Sequence, residues 1–179
     1  MVDADIFGMI ERSGSRPEWL KLPKLPLVVT DSVWDELVEG PRQKGETGLA
    51  DQTEAWLRAV VGQPTVIPTD SAEARVAAAL LMAPGSIGIG EASIIGYTLT
   101  HPEHVAVLLD RRALWQAVEE LRGARVMSMH GFLAEMVASH SMPQALANVV
   151  SETLLKRQTG TKRPSWWPIP ASAPHQEPG

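Results

Sequence analysis

Short apolar runs alternate with longer amphipathic segments from residue 1 to about residue 157. This alternation is typical of strands joined by crossover helices, so we predict an α/β fold with a mainly parallel sheet. The apolar runs predict extended segments at residues 1–5, 26–30, 65–68, 105–109 and 125–129.

The amphipathic segments predict the helices. Apolar spacing indicates helices at residues 6–11, 50–61, 71–82, 91–99, 112–121 and 131–140, and a last helix that opens at Met142-Pro143. A further helix should follow the second strand, with Thr30, Asp31 and Ser32 as N-cap candidates, and should stop at Gly40-Pro41. Residues 40–49 then read as a polar loop and residues 84–90 as a glycine loop.

The character of the chain changes after Arg157. Residues 158–179 contain five prolines and little apolar material besides Trp166, Trp167 and Ile169. We therefore predict one folded domain over residues 1–157 and a C-terminal tail over residues 158–179. Trp166 and Trp167 have three possible fates: docking on the chain's own surface, binding a partner, or exposure.

Composition narrows the function classes. The 179 residues include no cysteine, which excludes disulfides and thiolate metal sites. A long uncharged stretch, residues 76–90, is too short and too interrupted to cross a bilayer, and the acidic pair Asp3 and Asp5 predicts a cytoplasmic location. The net charge of −5 argues against broad nucleic-acid binding by the whole surface, and residues 1–151, with 12 basic and 19 acidic residues, carry −7.

Several of these acids are predicted to reach one edge of the sheet. Sites in parallel α/β sheets lie beyond the carboxyl ends of the strands. Asp3 and Asp5 end the first predicted strand, and Asp110 closes the strand at residues 105–109. Glu91 opens the helix after the glycine loop, and Glu36 lies in the helix after the second strand. Three of them have an ordinary explanation: Glu91 complements a helix dipole, Asp110 caps a helix and Glu36 is solvated.

Convergence of these carboxylates would be unfavourable without a cation between them. A set of oxygen ligands without cysteine or a well-spaced histidine pair suits Mg²⁺ or Mn²⁺ and not zinc. Such a site typically handles phosphates.

Other conspicuous residues are predicted to be structural. The glycines of residues 85–90 match neither a dinucleotide fingerprint nor a P-loop. Surface or turn roles are expected for four histidines: His101, His104, His130 and His140. Core positions are expected for four tryptophans: Trp19, Trp34, Trp56 and Trp115.

Four segments resemble the acidic motifs of PIN domains. They are VDADIF at residues 2–7, VWDELV at 33–38, GEASII at 90–95 and LLDRR at 108–112, and residues 126–133 are similar to the strand and turn that follow in one PIN subgroup. The order and spacing of these motifs carry the resemblance, which spans about residues 1–140.

The resemblance implies a three-layer α/β/α sandwich and a metal-dependent ribonuclease, in many relatives the VapC-type toxin of a toxin–antitoxin pair. Mg²⁺ or Mn²⁺ would be held by Asp3, Glu36, Glu91 and Asp110, which would also be the catalytic residues, with Asp5 as a further candidate ligand. Arg111 and Arg112 would bind the RNA substrate at the scissile phosphate. An antitoxin protein and a homodimer are implied as partners.

Two alternatives stay open. The chain could be a PIN-like binding module without catalysis. It could also be a receiver-type domain that accepts a phosphoryl group, although that fold needs a lysine after its last strand and this chain has His130 and Gly131 there.

Overall fold

A computed structural model of the chain describes residues 1–23, 26–85, 87–123 and 125–157. This part of the chain is a mixed α/β protein in which helices dominate. The elements, in chain order, are α1 (Ala4–Arg12), α2 (Arg16–Trp19), α3 (Asp31–Trp34), a π-helical segment (Asp35–Glu39), α4 (Gly40–Gln43), α5 (Thr47–Val60), α6 (Ala72–Met82), α7 (Ile89–Thr100), β1 (Ala106–Leu108), α8 (Arg111–Glu120), β2 (Val126–Ser128), α9 (Met129–Ala138) and α10 (Gln144–Arg157).

The sheet is parallel, as predicted, but small. Strands β1 and β2 pair in parallel with Val107 opposite Met127. Two isolated parallel bridges, Val2 with Val107 and Thr30 with Thr65, lie outside these strands. The amide of Val2 also donates to the carbonyl of Val28 over 2.9 Å, so hydrogen bonds connect all five predicted extended segments.

The first predicted strand is shorter than expected. Helix α1 begins at Ala4 because the Asp3 carboxylate accepts a hydrogen bond from the Ala4 amide and caps the helix. The prediction that Asp5 ends a strand is therefore wrong, since Asp5 lies in the first helical turn.

The predicted helix stop at Gly40-Pro41 is also wrong. The helical run continues through the π-helical segment into α4, and Pro41 lies in the first turn of α4. The predicted loop at residues 40–49 is thus largely helical, because α5 already begins at Thr47.

The remaining predicted helices are confirmed to within a few residues, and their apolar faces form one core. Its fully buried large residues include Phe7, Ile94, Ile95, Leu108 and Leu133. Ser71 caps α6 as a typical N-cap residue, with its hydroxyl accepting from the Ala74 amide.

Two predictions about aromatic and histidine positions need correction. Trp19, Trp34 and Trp56 are buried as predicted, but Trp115 is 49% exposed because it lies on α8 opposite the buried face. His130 is fully buried, in contrast to the predicted surface role, because it lies on the first turn of α9 beside the core.

The tail, with Trp166 and Trp167, lies outside the described residues. Of the helices that are described, none is long and apolar enough to cross a membrane.

Candidate functional site

Asp3 is the most buried acid of the predicted site. Its carboxylate Oδ1 accepts the Ala4 amide over 2.8 Å, and the residue is 2% exposed. Its Oδ2 is buried and has no hydrogen-bond partner within the described chain. A buried carboxylate oxygen without a partner raises the free energy of the folded state, so binding a proton or a cation at Asp3 Oδ2 would be favourable.

The surroundings of Asp3 raise the pKa of its carboxyl group to about 8. Burial is the main cause, and the negative charges of Glu91, Asp5 and Glu36 add to it, while the hydrogen bond from Ala4 acts in the opposite direction. Four carboxylates are therefore close enough to act on one another.

Glu36 reaches the same place from the π-helical segment. The amide of Gly40 donates to the carbonyl of Asp35, five residues earlier, and such π-helical turns often occur at functional sites. Partial burial and the charges of Glu91 and Asp5 raise the pKa of Glu36. A Cβ at Gly90 would lie 3.2 Å from Glu36 Oε2 and 3.8 Å from Asp3 Oδ1, so the two carboxylates meet at this glycine.

Glu91 faces the other acids from the first turn of α7, whose N-cap is Gly88. Backbone hydrogen bonds at Glu91 and Gly88 lower the pKa of the Glu91 carboxyl group, but burial and the charges of Asp110 and Asp5 outweigh them and raise it. A side chain at Gly88 would overlap Glu91 Oε2. Glu91 therefore complements the helix N-terminus, as its ordinary explanation holds, and also belongs to the group of acids.

Asp110 and Asp5 complete the group. Asp110 is exposed, caps α8 and accepts the amides of Arg112 and Ala113 over 2.7 and 3.0 Å, and its charge acts on Glu91. The half-buried Asp5 acts on three of the others. We call these five residues the acid cluster: Asp3, Asp5, Glu36, Glu91 and Asp110.

A buried hydroxyl pair ties the helices of the cluster together. Ser93 donates to the carbonyl of Gly90 over 2.7 Å, so Thr30 donates to Ser93 in the 2.6 Å bond between their hydroxyls. Thr30 in turn accepts the amide of Val33 at the start of α3. Thr30 was predicted as an N-cap, but a contact between residues 63 positions apart leaves no signal in the sequence.

Arg111 and Arg112 flank the cluster at the start of α8. Both side chains are exposed, and neither forms an ion pair with any described residue. Their position next to Asp110 places two positive charges beside the acid cluster without an ion pair to any of its members.

The donor set suits a hard cation, because all five ligand candidates offer carboxylate oxygens and Asp3 Oδ2 has no partner. No three acids or histidines of the described chain stand close enough to form a ready metal-binding group. Carboxylates that repel one another are expected to spread when no cation lies between them. The carboxylates of the acid cluster lie near one another, but they are not arranged as ligands around one metal position.

Comparisons with known proteins add no assignment. The chain matches no protein-family model, no curated protein and no solved structure.

Proposed function

We propose that this chain is a metal-dependent endoribonuclease of the PIN type. The observation that carries the proposal is the acid cluster, whose five carboxylates act on one another around a buried, unpartnered Asp3 oxygen. None of the five forms an ion pair with a basic residue among those described. Uncompensated charge of this kind is stabilised best by a divalent cation.

Asp3, Glu36, Glu91 and Asp110 would hold Mg²⁺ or Mn²⁺, and Asp5 would add a ligand or further negative charge. A bound ion of this kind makes water a stronger nucleophile and stabilises the leaving oxygen of a phosphodiester. Arg111 and Arg112 would hold the scissile phosphate, because guanidinium groups form paired hydrogen bonds to phosphate oxygens.

The sheet supports the proposed three-layer sandwich. Its hydrogen bonds run from Thr65 to the segment of residues 28–30, then to Val2, to β1 and to β2. This order puts the residue 1–3 segment in the middle, where Asp3 and Asp110 end neighbouring segments. An antitoxin partner and a homodimer remain proposals from the resemblance, and a cytoplasmic location also remains a proposal.

Cleavage of a labelled RNA panel tests the proposal. Wild type should cleave with Mn²⁺ or Mg²⁺ and not with EDTA. Asp3→Asn and Glu91→Gln should each lose more than about 100-fold in rate, since losing even an outer-shell partner of a metal ligand costs 10–100-fold. Glu54→Gln is the matched control, because Glu54 belongs to a separate ion-pair network. Metal-independent cleavage, or full activity of both variants, would contradict the assignment.

The separation of the acids favours one further candidate, a PIN-like module that binds RNA or protein without cleaving it. RNA binding by wild type with no cleavage under any metal would support this module. A receiver-type domain has less support, because Ser128, Met129 and His130 stand at the end of β2 where that fold needs a lysine. Uptake of phosphate from a small phosphodonor would support it.

A further inference from the structure

Helix α8 carries an exposed stripe directly beside the acid cluster. Arg111, Trp115 and Val118 follow one another at spacings of four and three residues, which places them on one helix face. Ala113, Leu114 and Ala117 of the same helix are buried. Trp115 is 49% exposed and Val118 is 37% exposed, so the stripe presents a large aromatic surface to solvent.

The charge of α8 is unevenly distributed along its length. Arg111 and Arg112 begin the helix, and Glu119 and Glu120 end it. Three arginines elsewhere form ion pairs with acids among the described residues: Arg16, Arg42 and Arg58. The two α8 arginines form none within the described chain, so they are available to an anionic ligand at the end of the helix nearest Asp110.

We infer that the exposed face of α8 binds single-stranded RNA, with Trp115 stacking on an unpaired base and Arg111 and Arg112 contacting the phosphates. The inference rests on the proposed function, because it takes RNA as the substrate of the acid cluster. Trp115 follows Asp110 by five residues, or about 7.5 Å along the helix axis. That distance places the stacked base about one or two nucleotides from the phosphate at the acids.

The geometry predicts a preference for single strands. An aromatic side chain stacks on a base only where the base is free of its neighbours, and any base will serve because each has a π-face. A duplex would meet the same arginines but offer Trp115 no free base. The single-stranded substrate should therefore depend on Trp115, and the duplex should not.

Binding in EDTA tests the inference without cleavage. Fluorescence anisotropy would compare a labelled 12-nucleotide single strand with a hairpin duplex, using Trp115→Leu and Trp115→Phe as a matched pair. Leu should weaken single-strand binding on the order of 10-fold and Phe should retain most of it, with duplex binding unchanged. Met82→Ala is the control, because Met82 is an exposed apolar side chain on α6.

Salt dependence separates the two kinds of contact. Arg111→Gln should lower the slope of log affinity against log salt by about 0.7 for single strands, whereas Trp115→Leu should leave the slope unchanged. Unfolding curves would verify that all variants are folded, and the Arg111→Gln slope carries the test if Leu destabilises α8.

The outcomes separate this inference from the proposed function. Metal-dependent cleavage with undiminished single-strand binding by Trp115→Leu would overturn the role of α8 and leave the nuclease standing. Trp115-dependent binding without cleavage would overturn the nuclease and retain the RNA surface. A change of oligomeric state in Trp115→Leu with unchanged RNA binding would show a protein interface instead, and would overturn the inference.

Discussion

Two groups of carboxylates in this molecule lie in opposite electrostatic environments. On α4 and α5, Arg42 contacts Glu39, Asp51 and Glu54 over 2.6 to 3.0 Å, and Arg58 contacts Glu54 over 2.6 Å. Hydrogen bonds from these arginines lower the pKa of Glu54. In the acid cluster, burial and neighbouring negative charge instead raise the pKa values of three members: Asp3, Glu36 and Glu91.

The difference shows what each group is suited for. In the Arg42 network, which comprises Arg42, Arg58, Glu39, Asp51 and Glu54, arginines and carboxylates of the same surface form ion pairs with one another. The acid cluster leaves its charge unbalanced although Arg111 and Arg112 lie beside it. A group that repels itself in the absence of a ligand gains most from binding a cation. The predictions below compare the two groups, from the largest expected effect to the smallest.

The largest effect concerns pH. The folded state keeps a proton on Asp3 up to a pKa of about 8, whereas the unfolded chain releases it near pH 4. The folded state thus binds more protons between these values, and in EDTA this contribution to the free energy of unfolding falls as pH rises, by a few kcal/mol between pH 5 and 8. Denaturant unfolding of wild type and Asp3→Asn would measure it.

The comparison with Asp3→Asn is essential to this measurement. Burial lowers the pKa of the Met1 amino group to about 6, which contributes the opposite slope between pH 6 and 8 in both proteins. Asp3→Asn keeps a side chain that can cap α1 but has no titration, so its stability advantage over wild type should grow with pH. An advantage that shrinks with rising pH would contradict the assignment.

Metal binding should offset the stability that wild type loses as pH rises. At pH 8, Mn²⁺ at about 100 times its Kd should stabilise wild type by about 2.7 kcal/mol, and the gain should be smaller at pH 5, where protons compete for the carboxylates. Asp3→Asn should lose most of the gain and Glu54→Gln should keep it. Thermal unfolding with and without Mn²⁺ measures the effect, and an equal gain in all three proteins would point to another binding site.

A glycine pair tests the geometry of the cluster. Gly90→Ala would insert a methyl group 3.2 Å from Glu36 Oε2, so the carboxylate must move. We expect Mn²⁺ affinity and cleavage to fall on the order of 10-fold, in the range seen for disturbed metal-ligand supports. Gly48→Ala on α5 is the control: its methyl group meets nothing within 4 Å, and it should raise stability by up to about 1 kcal/mol. Equal metal affinity in both variants would contradict the expected crowding.

The sequence predicts the helices better than the strands, for a physical reason. A helix such as α6 is encoded locally, by the Ser71 cap and apolar spacing. The first strand depends on partners more than a hundred residues away, and the cap at Asp3 ends it after Val2. The π-helical turn also escaped prediction, because Gly40 and Pro41 read as a stop when neighbouring helices are ignored.

The site shows the same division. Asp3, Glu36, Glu91 and Asp110 were predicted from motif order, and the structure brings Glu36 and Glu91 near Asp3 and brings Asp110 near Glu91. Their supports could not be selected, because the Thr30–Ser93 bond and the close approach at Gly90 arise only when α3 meets α7. Trp115 was misassigned because a tryptophan at helical spacing is normally buried, and nothing local shows which face of α8 the core covers.

The smallest effect on stability should come from a substitution in the Arg42 network. Arg42→Gln removes three contacts, but Glu54 keeps its two hydrogen bonds from Arg58, so no carboxylate is left buried and unpaired. We expect a small decrease in Tm at low salt that disappears in 1 M NaCl, because exposed ion pairs are screened. Cleavage and the Mn²⁺ effect should be unchanged.

The pH dependence of Arg42→Gln should run opposite to that of Asp3→Asn. The lowered pKa of Glu54 means that its ion pairs stabilise the fold above the ordinary carboxyl pKa and are lost as pH falls through the lowered value. Wild type should therefore be more stable than Arg42→Gln near neutral pH and lose that advantage in acid, whereas Asp3→Asn should become more stable than wild type as pH rises. If the Arg42→Gln difference instead persisted in acid and in 1 M NaCl, Arg42 would act through packing, and the contrast between the two groups of carboxylates would lose its electrostatic basis.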